Sequence, residues 1–301
     1  MGVPATTDLS AARAAVLGMP FDCGTHPFRV GSRQGPAAIR EQSRLIRRYN
    51  PESADFDPAV RLGLVDCGDV RLVPGRIEEA FAAMEAATAR LVDAGVAPIT
   101  MGGDGAVTLP QLRALRRRHP DLVALHIDSH TDAYAYSNEE KYNNATQFTH
   151  AAGEGLIDAP RSFHIGVRGP ASVGGIVGRA RGLGYGVVTL RELVRRGTPD
   201  VLAEIHAAMR GRPVYLCWDM DVFDPSVAPG VATPVWGGLT AREGIALMQG
   251  FAGLRIVAVD VNTVSPPHDH GGMTAFLAAH MLYEGLVLLC RALGLDAAEA
   301  G

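Results

Sequence analysis

The segment LHIDSHTDAY, residues 125–134, joins an apolar run to a series of metal-ligand side chains. The run ends at Ile127 and is followed by Asp128, His130 and Asp132, which are spaced two residues apart. In extended chain, residues two apart point to the same side, so these three groups can converge where a strand ends. The segment therefore predicts a strand that delivers two carboxylates and an imidazole to one point.

A second apolar run ends in the same way within YLCWDMDVFDPSVAPG, residues 215–230, where it delivers Asp219 and Asp221. The alternative is that such acidic residues form turns or caps, as we predict for Asp224 before Pro225. A single Asp-x-Asp would favour that alternative. Two clusters, one with a histidine, would crowd negative charge unless a cation were present, so we predict a metal site. Such ligands suit manganese, and also admit nickel, cobalt, iron or zinc.

Apolar runs bounded by turn residues recur along the chain and alternate with amphipathic or alanine-rich stretches. The runs predict buried strands at 14–19, 61–65, 96–101, 122–127, 162–167, 186–190, 214–218 and 255–261. The other stretches predict helices at 77–94, 109–118, 199–209 and 241–251, with a closing helix at 274–291. This alternation predicts a three-layer α/β/α fold with a mostly parallel central sheet, formed by a single domain over residues 1–301. Functional groups are then expected beyond the carboxyl ends of the strands.

Composition narrows the classes of partner and the compartment. The net charge of -4 supplies no basic field for a nucleic acid or an anionic membrane. We predict no membrane span, because no segment approaches the required apolar length. Cys23, Cys67, Cys217 and Cys290 are far apart and form no Cys-x-x-Cys pair. We therefore expect free thiols in a cytoplasmic protein.

Seven segments, in order along nearly the whole chain, resemble the ureohydrolase family of arginases and agmatinases, most closely the agmatinase branch. They are GMPFDCGT, GSRQGPAAIR, LVDCGDV, GGDGA, HIDSHTD, WDMDVFDPSVAPGVATPVWGGLT and VSPPHD. The resemblance implies an arginase-like fold and a binuclear metal centre whose bridging hydroxide attacks the central carbon of a guanidino or related amidine group. Two cations generate such a nucleophile at neutral pH.

The family's metal ligands carry over to five positions of this chain. The resemblance implies that Asp128 and Asp219 bridge both ions and that His130 and Asp221 bind one of them. Asp132 then serves the other ion. We expect Mn2+ or Ni2+ as the cofactor, with one ion or none per chain.

Three positions depart from the family pattern, and together they indicate a reduced active site. Where the family has a Gly-Gly-Asp-His-Ser loop, this chain has GGDGA at residues 102–106. Gly105 stands at the position of the histidine, so the sixth ligand is missing. Asn144 stands where the proton-transfer histidine is expected, and an amide does no acid or base work at neutral pH. Thr263 stands where a glutamate holds the guanidinium, and a threonine supplies no charge for that cation.

Three further histidines have two interpretations each. His126 faces the same way as Asp128 one step deeper in the strand, and we predict that it is buried and hydrogen-bonded. His268 and His270 follow the proline pair near the expected pocket. Either could replace a lost ligand or proton-transfer group, although an ordinary loop role is favoured, since neither comes from the strand end that lost its ligand.

These departures leave three hypotheses for function. In the first, the chain is a degenerate supporting subunit that assembles with a competent paralogue in a trimer or hexamer. That pairing is similar to the one in metformin-type hydrolases, which act on a biguanide. In the second, it is an active amidinohydrolase with a rebuilt pocket for another small guanidino-type molecule. In the third, it is a non-enzymatic ligand-binding or structural protein.

Overall fold

Eight strands form one parallel sheet in the computed structural model, which describes residues 2–23, 26, 28–73, 75–137 and 141–297. The strands are β1 Ala14–Gly18, β2 Val65–Asp69, β3 Ala97–Met101, β4 Val123–Ile127, β5 Phe163–Val167, β6 Gly186–Thr189, β7 Pro213–Asp219 and β8 Arg255–Asn262. Their order across the sheet is β2-β1-β3-β8-β7-β4-β5-β6. Neighbouring strands are parallel throughout, which confirms the prediction of a parallel sheet.

Helices cover both faces of the sheet. They are α1 Gly35–Gln42, α2 Pro58–Arg61, α3 Ile77–Asp93, α4 Thr108–Arg116, α5 Gln147–Gly153, α6 Ile176–Gly182, α7 Leu190–Arg196, α8 Thr198–Met209, α9 Ala241–Gln249 and α10 Met273–Ala292. Side chains of β7 alternate between the two faces, as a strand's period of two requires. Leu216 and Trp218 join the core formed with α7 to α10, and Tyr215 and Cys217 join the core formed with α3 to α6. The predicted three-layer α/β/α fold is confirmed.

The predicted strand at 61–65 is wrong, because the chain forms helix α2 just before it. The Asp57 side chain caps this helix by accepting bonds from the amides of Ala59 and Val60, and Pro58 opens its first turn. Strand β2 begins only at Val65. A short helix with strong end signals therefore overrides the local apolar pattern. Helices α1, α5, α6 and α7 are also short, and the periodicity did not predict them.

The closing helix α10 has the length and apolar character of a membrane span, the only such helix found in the described ranges. The premise that no segment approaches that apolar length is therefore wrong. However, 78% of its apolar window is buried inside the protein. Its inner side chains, including Met281 and Leu288, belong to the core on one face of the sheet. Burial against the sheet therefore accounts for its composition.

The centre of the sheet positions the site. Strands β3, β8, β7 and β4 are adjacent, so the segments that follow their carboxyl ends meet at one edge. Asp219 pairs with Asn262 across β7 and β8, which places Thr263 next to the end of β7. Trp218 pairs with Ile127, which places Asp128 on the other side.

Candidate metal centre

Strand ends aim the carboxylates of this centre at one point. Asp128 directly follows β4, where its amide still donates to Ile165 of β5 and continues the ladder. Asp219 ends β7 and caps a short 3-10 turn, accepting a 2.7 Å bond from the amide of Asp221. All of these side chains are buried. The two clusters that the sequence predicted therefore lie side by side.

Asp128, His130 and Asp221 form the tighter group. His130 Nδ1 lies 3.2 Å from Asp128 Oδ1 and 3.1 Å from Asp221 Oδ2. One ligand atom from each of the three residues lies within 4.8 Å of the others. Two buried carboxylates and an imidazole are a donor set that fits manganese, and the residues present fit one ion at this position.

Two hydroxyl groups hold the Asp221 carboxylate in place. The Ser129 hydroxyl donates to Asp221 Oδ1 at 2.6 Å, and the Thr233 hydroxyl donates to Oδ2 at 2.9 Å. The Ser129 amide adds a third bond at 3.1 Å. Bonds of this kind fix the direction of a metal-ligating carboxylate and are part of the design of a metal site.

The charges in this group are strongly coupled. Burial alone would lower the pKa of His130, but Asp221 and Asp128 outweigh it and raise that pKa well above its usual value. Burial raises the pKa of Asp219 well above the ordinary range, and the charges of Asp221 and Asp128 raise it further. A cation at this point would relieve the repulsion between these carboxylates.

His126 lies on the inner side of the group, and its contacts confirm the prediction of a buried, hydrogen-bonded histidine. Its Nε2 atom lies 2.9 Å from Asp128 Oδ2, and its Nδ1 atom lies 2.9 Å from Nδ1 of His164. Both imidazoles are buried. Burial, followed by the charge of His126, lowers the pKa of His164 well below its usual value, which indicates a neutral ring.

Asp132 has a different partner. The Gln147 amide donates from Nε2 to Asp132 Oδ2, and both side chains are buried. Gly105 faces the same point: a Cβ atom built on it would lie 2.7 Å from Gln147 Nε2 and 3.0 Å from Asp132 Oδ2. The structure thus places position 105 beside Asp132, where the resemblance implied a ligand, and an amide fills the space.

Thr263 follows β8 in the left-handed region, with φ of 65°, which is unusual for a β-branched residue. Its hydroxyl donates to Asp219 Oδ1. The side chain therefore binds a candidate ligand and offers the cavity no negative charge. Asp219 belongs to neither of the groups in which ligand atoms converge, so its bridging role stays a prediction.

A cavity of about 350 Å3 opens over these residues. It is lined by His26, His130, Asp132, Tyr134, Asn144, Ala145, Pro170, Ala171, Ser172, Asp219, Asp221, Thr233 and Thr263. Asn144 and Thr263 thus share one cavity with the predicted ligands. His268 and His270 are not among these lining residues, and His268 Nδ1 lies 3.0 Å from the Ser265 hydroxyl, which agrees with the favoured loop role.

Sequence reasoning missed His26, Thr233 and Gln147. Thr233 lies within a segment that matches the family, but nothing local marks its hydroxyl as a partner of Asp221 twelve residues earlier. Gln147 follows the segment that contains Asn144 and reaches Asp132 only through the fold. Residues 24 and 25 of the quoted segment GMPFDCGT lie outside the described residues.

Fold and site together define an α/β protein with a cluster of carboxylate and histidine side chains at the carboxyl edge of a parallel sheet. The arginase family model matches residues 12–287, so the chain belongs to the arginase family. It is 37% identical to a guanidinobutyrase of Pseudomonas aeruginosa over 95% of this chain and 89% of that protein. It is 34% identical to a mitochondrial guanidino acid hydrolase of Homo sapiens, over 96% and 82%. The structure of a proclavaminate amidino hydrolase from Streptomyces clavuligerus matches with a TM-score of 0.92 and 35% identity, over 97% and 96%.

Proposed function

We propose that this chain binds a metal ion and serves as a catalytically reduced supporting subunit in the hydrolysis of a guanidino or biguanide compound. Family membership and relatives named for guanidino-compound hydrolysis support the reaction class. The partner is a competent ureohydrolase paralogue, and the assembly is a mixed trimer or hexamer in the cytoplasm. The supporting chain forms one domain over residues 1–301.

The charge of the cavity lining is the observation that carries this proposal. Among the described residues that line the cavity, the acidic side chains are Asp132, Asp219 and Asp221, and all three are candidate metal ligands. A guanidinium held by protein needs a carboxylate that the metal does not use. Thr263 stands at the expected position, and its hydroxyl already donates to Asp219. Among the described lining residues, every negative charge therefore lies on a candidate metal ligand.

Metal binding at the Asp128, His130 and Asp221 group is the function that the residues retain. Arginase-family centres are binuclear and use manganese, and we propose Mn2+ here, with Ni2+ as the alternative that metal analysis tests. When bound, such an ion supplies Lewis-acid polarisation. Ser129 and Thr233 orient Asp221, and His126 orients Asp128. Asn144 lines the cavity but carries no group that transfers a proton near neutral pH.

The uncharged polar residues of the lining also support a second candidate, an active hydrolase for an uncharged amidine. Asn144, Thr233 and Thr263 present amide and hydroxyl groups to the cavity, and these can hydrogen-bond a neutral substrate without a counter-ion. One ion would then have to polarise the substrate alone. This candidate differs from the first in one observable, which is turnover by the isolated chain.

Urea release separates the two candidates. The chain would be purified alone, saturated with Mn2+ or with Ni2+, and assayed with guanidinobutyrate, agmatine and metformin. It would then be co-expressed with each ureohydrolase paralogue of its genome and assayed as a complex. We expect no turnover by the chain alone and a complex more active than the paralogue alone. Robust urea release by the chain alone would contradict the supporting role and favour the second candidate.

A further inference from the structure

Two groups of potential ligands share Asp128, and they differ in what already binds their carboxylates. The first is Asp128, His130 and Asp221, and the second is His126, Asp128 and Asp132. Their geometry alone would allow a pair of cations with Asp128 between them. All three residues of the second group, however, are buried, and Asp132 has a neutral protein donor as its partner.

Gln147 is that donor, and a main-chain hydrogen bond of the neighbouring residue also holds this part of α5 beside Asp132. It is the first residue of α5, and the amide of the next residue, Phe148, donates to the main-chain oxygen of Asp132 at 3.0 Å. The start of α5 is thus tied to Asp132 through both main chain and side chain. A buried carboxyl group needs a hydrogen-bond partner, and the Gln147 amide is one that the fold itself places beside Asp132.

Gly105 provides the space for this amide. A Cβ at position 105 would lie 2.7 Å from Gln147 Nε2, closer than real Cβ contacts. The glycine is not explained by backbone conformation, because Gly105 is absent from the described residues with positive φ. Its lack of a side chain therefore serves packing. A larger residue at this point would compete with the Gln147 amide for the same space.

We propose that the Gln147 amide takes the place of the second cation, so that Gly105 and Gln147 form a matched pair that commits the chain to one metal ion. This rests on the metal site of the proposed function at Asp128, His130 and Asp221. A ligand restored at position 105 is then not enough for a second ion to bind, because the Gln147 amide still competes for the space beside Asp132. Both positions must change together before a second ion can bind.

The number of metal ions bound per full-length chain tests the proposed roles of Gly105 and Gln147. Each protein would be saturated with Mn2+ or with Ni2+ alone, freed of excess metal by gel filtration, and analysed by inductively coupled plasma mass spectrometry. We expect one ion per chain in the wild type, in Gly105→His and in Gln147→Ala. We expect two ions in the double variant Gly105→His with Gln147→Ala.

A matched control tests whether any loosening of α5 has the same effect. Thr149 lies two residues further along α5, and its hydroxyl donates to the main-chain oxygen of Tyr134. Gly105→His combined with Thr149→Ala keeps the Gln147 amide and should stay at one ion. Circular dichroism would confirm that each variant is folded before its metal is counted.

Three results would overturn the proposal that Gly105 and Gln147 together set the number of bound ions. Two ions in Gly105→His alone would show that the amide is no obstacle. A folded double variant that still holds one ion would show that the pair does not set the count. Two ions in the wild type, with one lost in Gln147→Ala, would mean that the amide oxygen is itself a ligand.

A spectroscopic measurement on the wild type keeps the inference testable if the double variant fails to fold. The electron paramagnetic resonance spectrum of the Mn2+ protein should show isolated ions, whereas an exchange-coupled pair would overturn the inference. Neither readout depends on urea release. A chain that holds one ion and turns over substrate would therefore overturn the proposed function and leave this inference intact, and the reverse outcome is equally visible.

Discussion

His130 and Asp132 lie two residues apart in one loop, and their surroundings differ in kind. His130 faces the carboxylates of Asp128 and Asp221 at 3.2 and 3.1 Å, and part of its ring reaches the cavity. Asp132 faces the amide of Gln147 across the space left open by Gly105. His130 therefore lies in a cluster of ionisable groups, whereas Asp132 accepts a hydrogen bond from a neutral amide.

The difference shows two ways to satisfy a buried carboxylate. Beside His130, the carboxylates of Asp128 and Asp221 share its imidazole as a partner. These two carboxylates repel each other unless a proton or a metal ion is present. Around Asp132 the partner is the neutral amide of Gln147. Burial, followed by the charge of Asp128, nevertheless raises the pKa of this carboxyl well above its usual range. Two side chains of one loop therefore differ in whether an amide from another segment occupies the space beside them. The following changes would break or sharpen this contrast.

The largest effect is expected from His130→Ala, which removes the only imidazole of the Asp128 and Asp221 group. Removing a group that merely orients a ligand lowers metal affinity roughly 10–100-fold, and loss of the ligand itself should exceed that. We expect metal content to fall close to zero in competition titrations with a chelator. Full retention of the ion would place the metal elsewhere and break the contrast between the two sides.

His126→Ala should have the next largest effect. His126 Nε2 lies 2.9 Å from Asp128 Oδ2 and holds a carboxylate that both candidate groups share. We expect metal affinity to fall roughly 10–100-fold while the stoichiometry after saturation stays unchanged. His164→Ala is the matched control, since His164 contacts His126 and not the carboxylate, and it should change affinity less. Equal losses in both variants would argue against an orienting role for His126.

The third largest effect is expected from a change of pH, which should alter the apparent affinity for the metal. Burial opposes the charged form of His130, but Asp221 and Asp128 outweigh it and raise its pKa well above 6.5. A metal ion must displace that proton, so apparent affinity should rise roughly tenfold per pH unit and level off above the raised pKa. Isothermal titration calorimetry in buffers of different ionisation heat would detect the released proton.

The stability of the metal-free chain should show the opposite trend with pH. A raised folded pKa stabilises the fold fully below the unfolded value of about 6.5, and this contribution is lost as pH rises through the folded pKa. The stability difference between wild type and His130→Gln, measured by urea unfolding with a chelator present, should therefore shrink with increasing pH. A difference that grows with pH would mean that His130 is neutral in the metal-free fold.

The smallest effect is expected from Thr263→Val. The Thr263 hydroxyl donates to Asp219, a carboxylate at the margin of the metal group, and its loss should destabilise the fold by about 1 kcal/mol. Thr263→Ser keeps the hydroxyl and should stay close to the wild type. Urea unfolding of both variants measures this, and a loss in the serine variant as well would point to packing of the methyl group instead.

Much of the fold could be predicted from the sequence because its signals are local. Seven of the eight predicted strands lie close to the bounds of observed strands, and the eighth, at 61–65, shares only Val65 with β2. Helices α3, α4, α8, α9 and α10 lie close to their predicted bounds. The short helices were missed, and α2 displaced a predicted strand, because helices of four to eight residues carry too few turns for a clear period. In α2 the decisive signal was the cap at Asp57.

The sequence by itself determined the family and the candidate ligands. Asp128, His130, Asp132, Asp219 and Asp221 lie at or just beyond strand ends, and their spacing of two residues is the period of an extended chain. It also revealed the missing side chain at Gly105. Only the tertiary structure decided what fills that gap. The bond between Gln147 and Asp132 joins residues fifteen apart, and Gly105 reaches both only through the meeting of β3 and β4 loops. Such contacts depend on three-dimensional packing, and no local pattern encodes them.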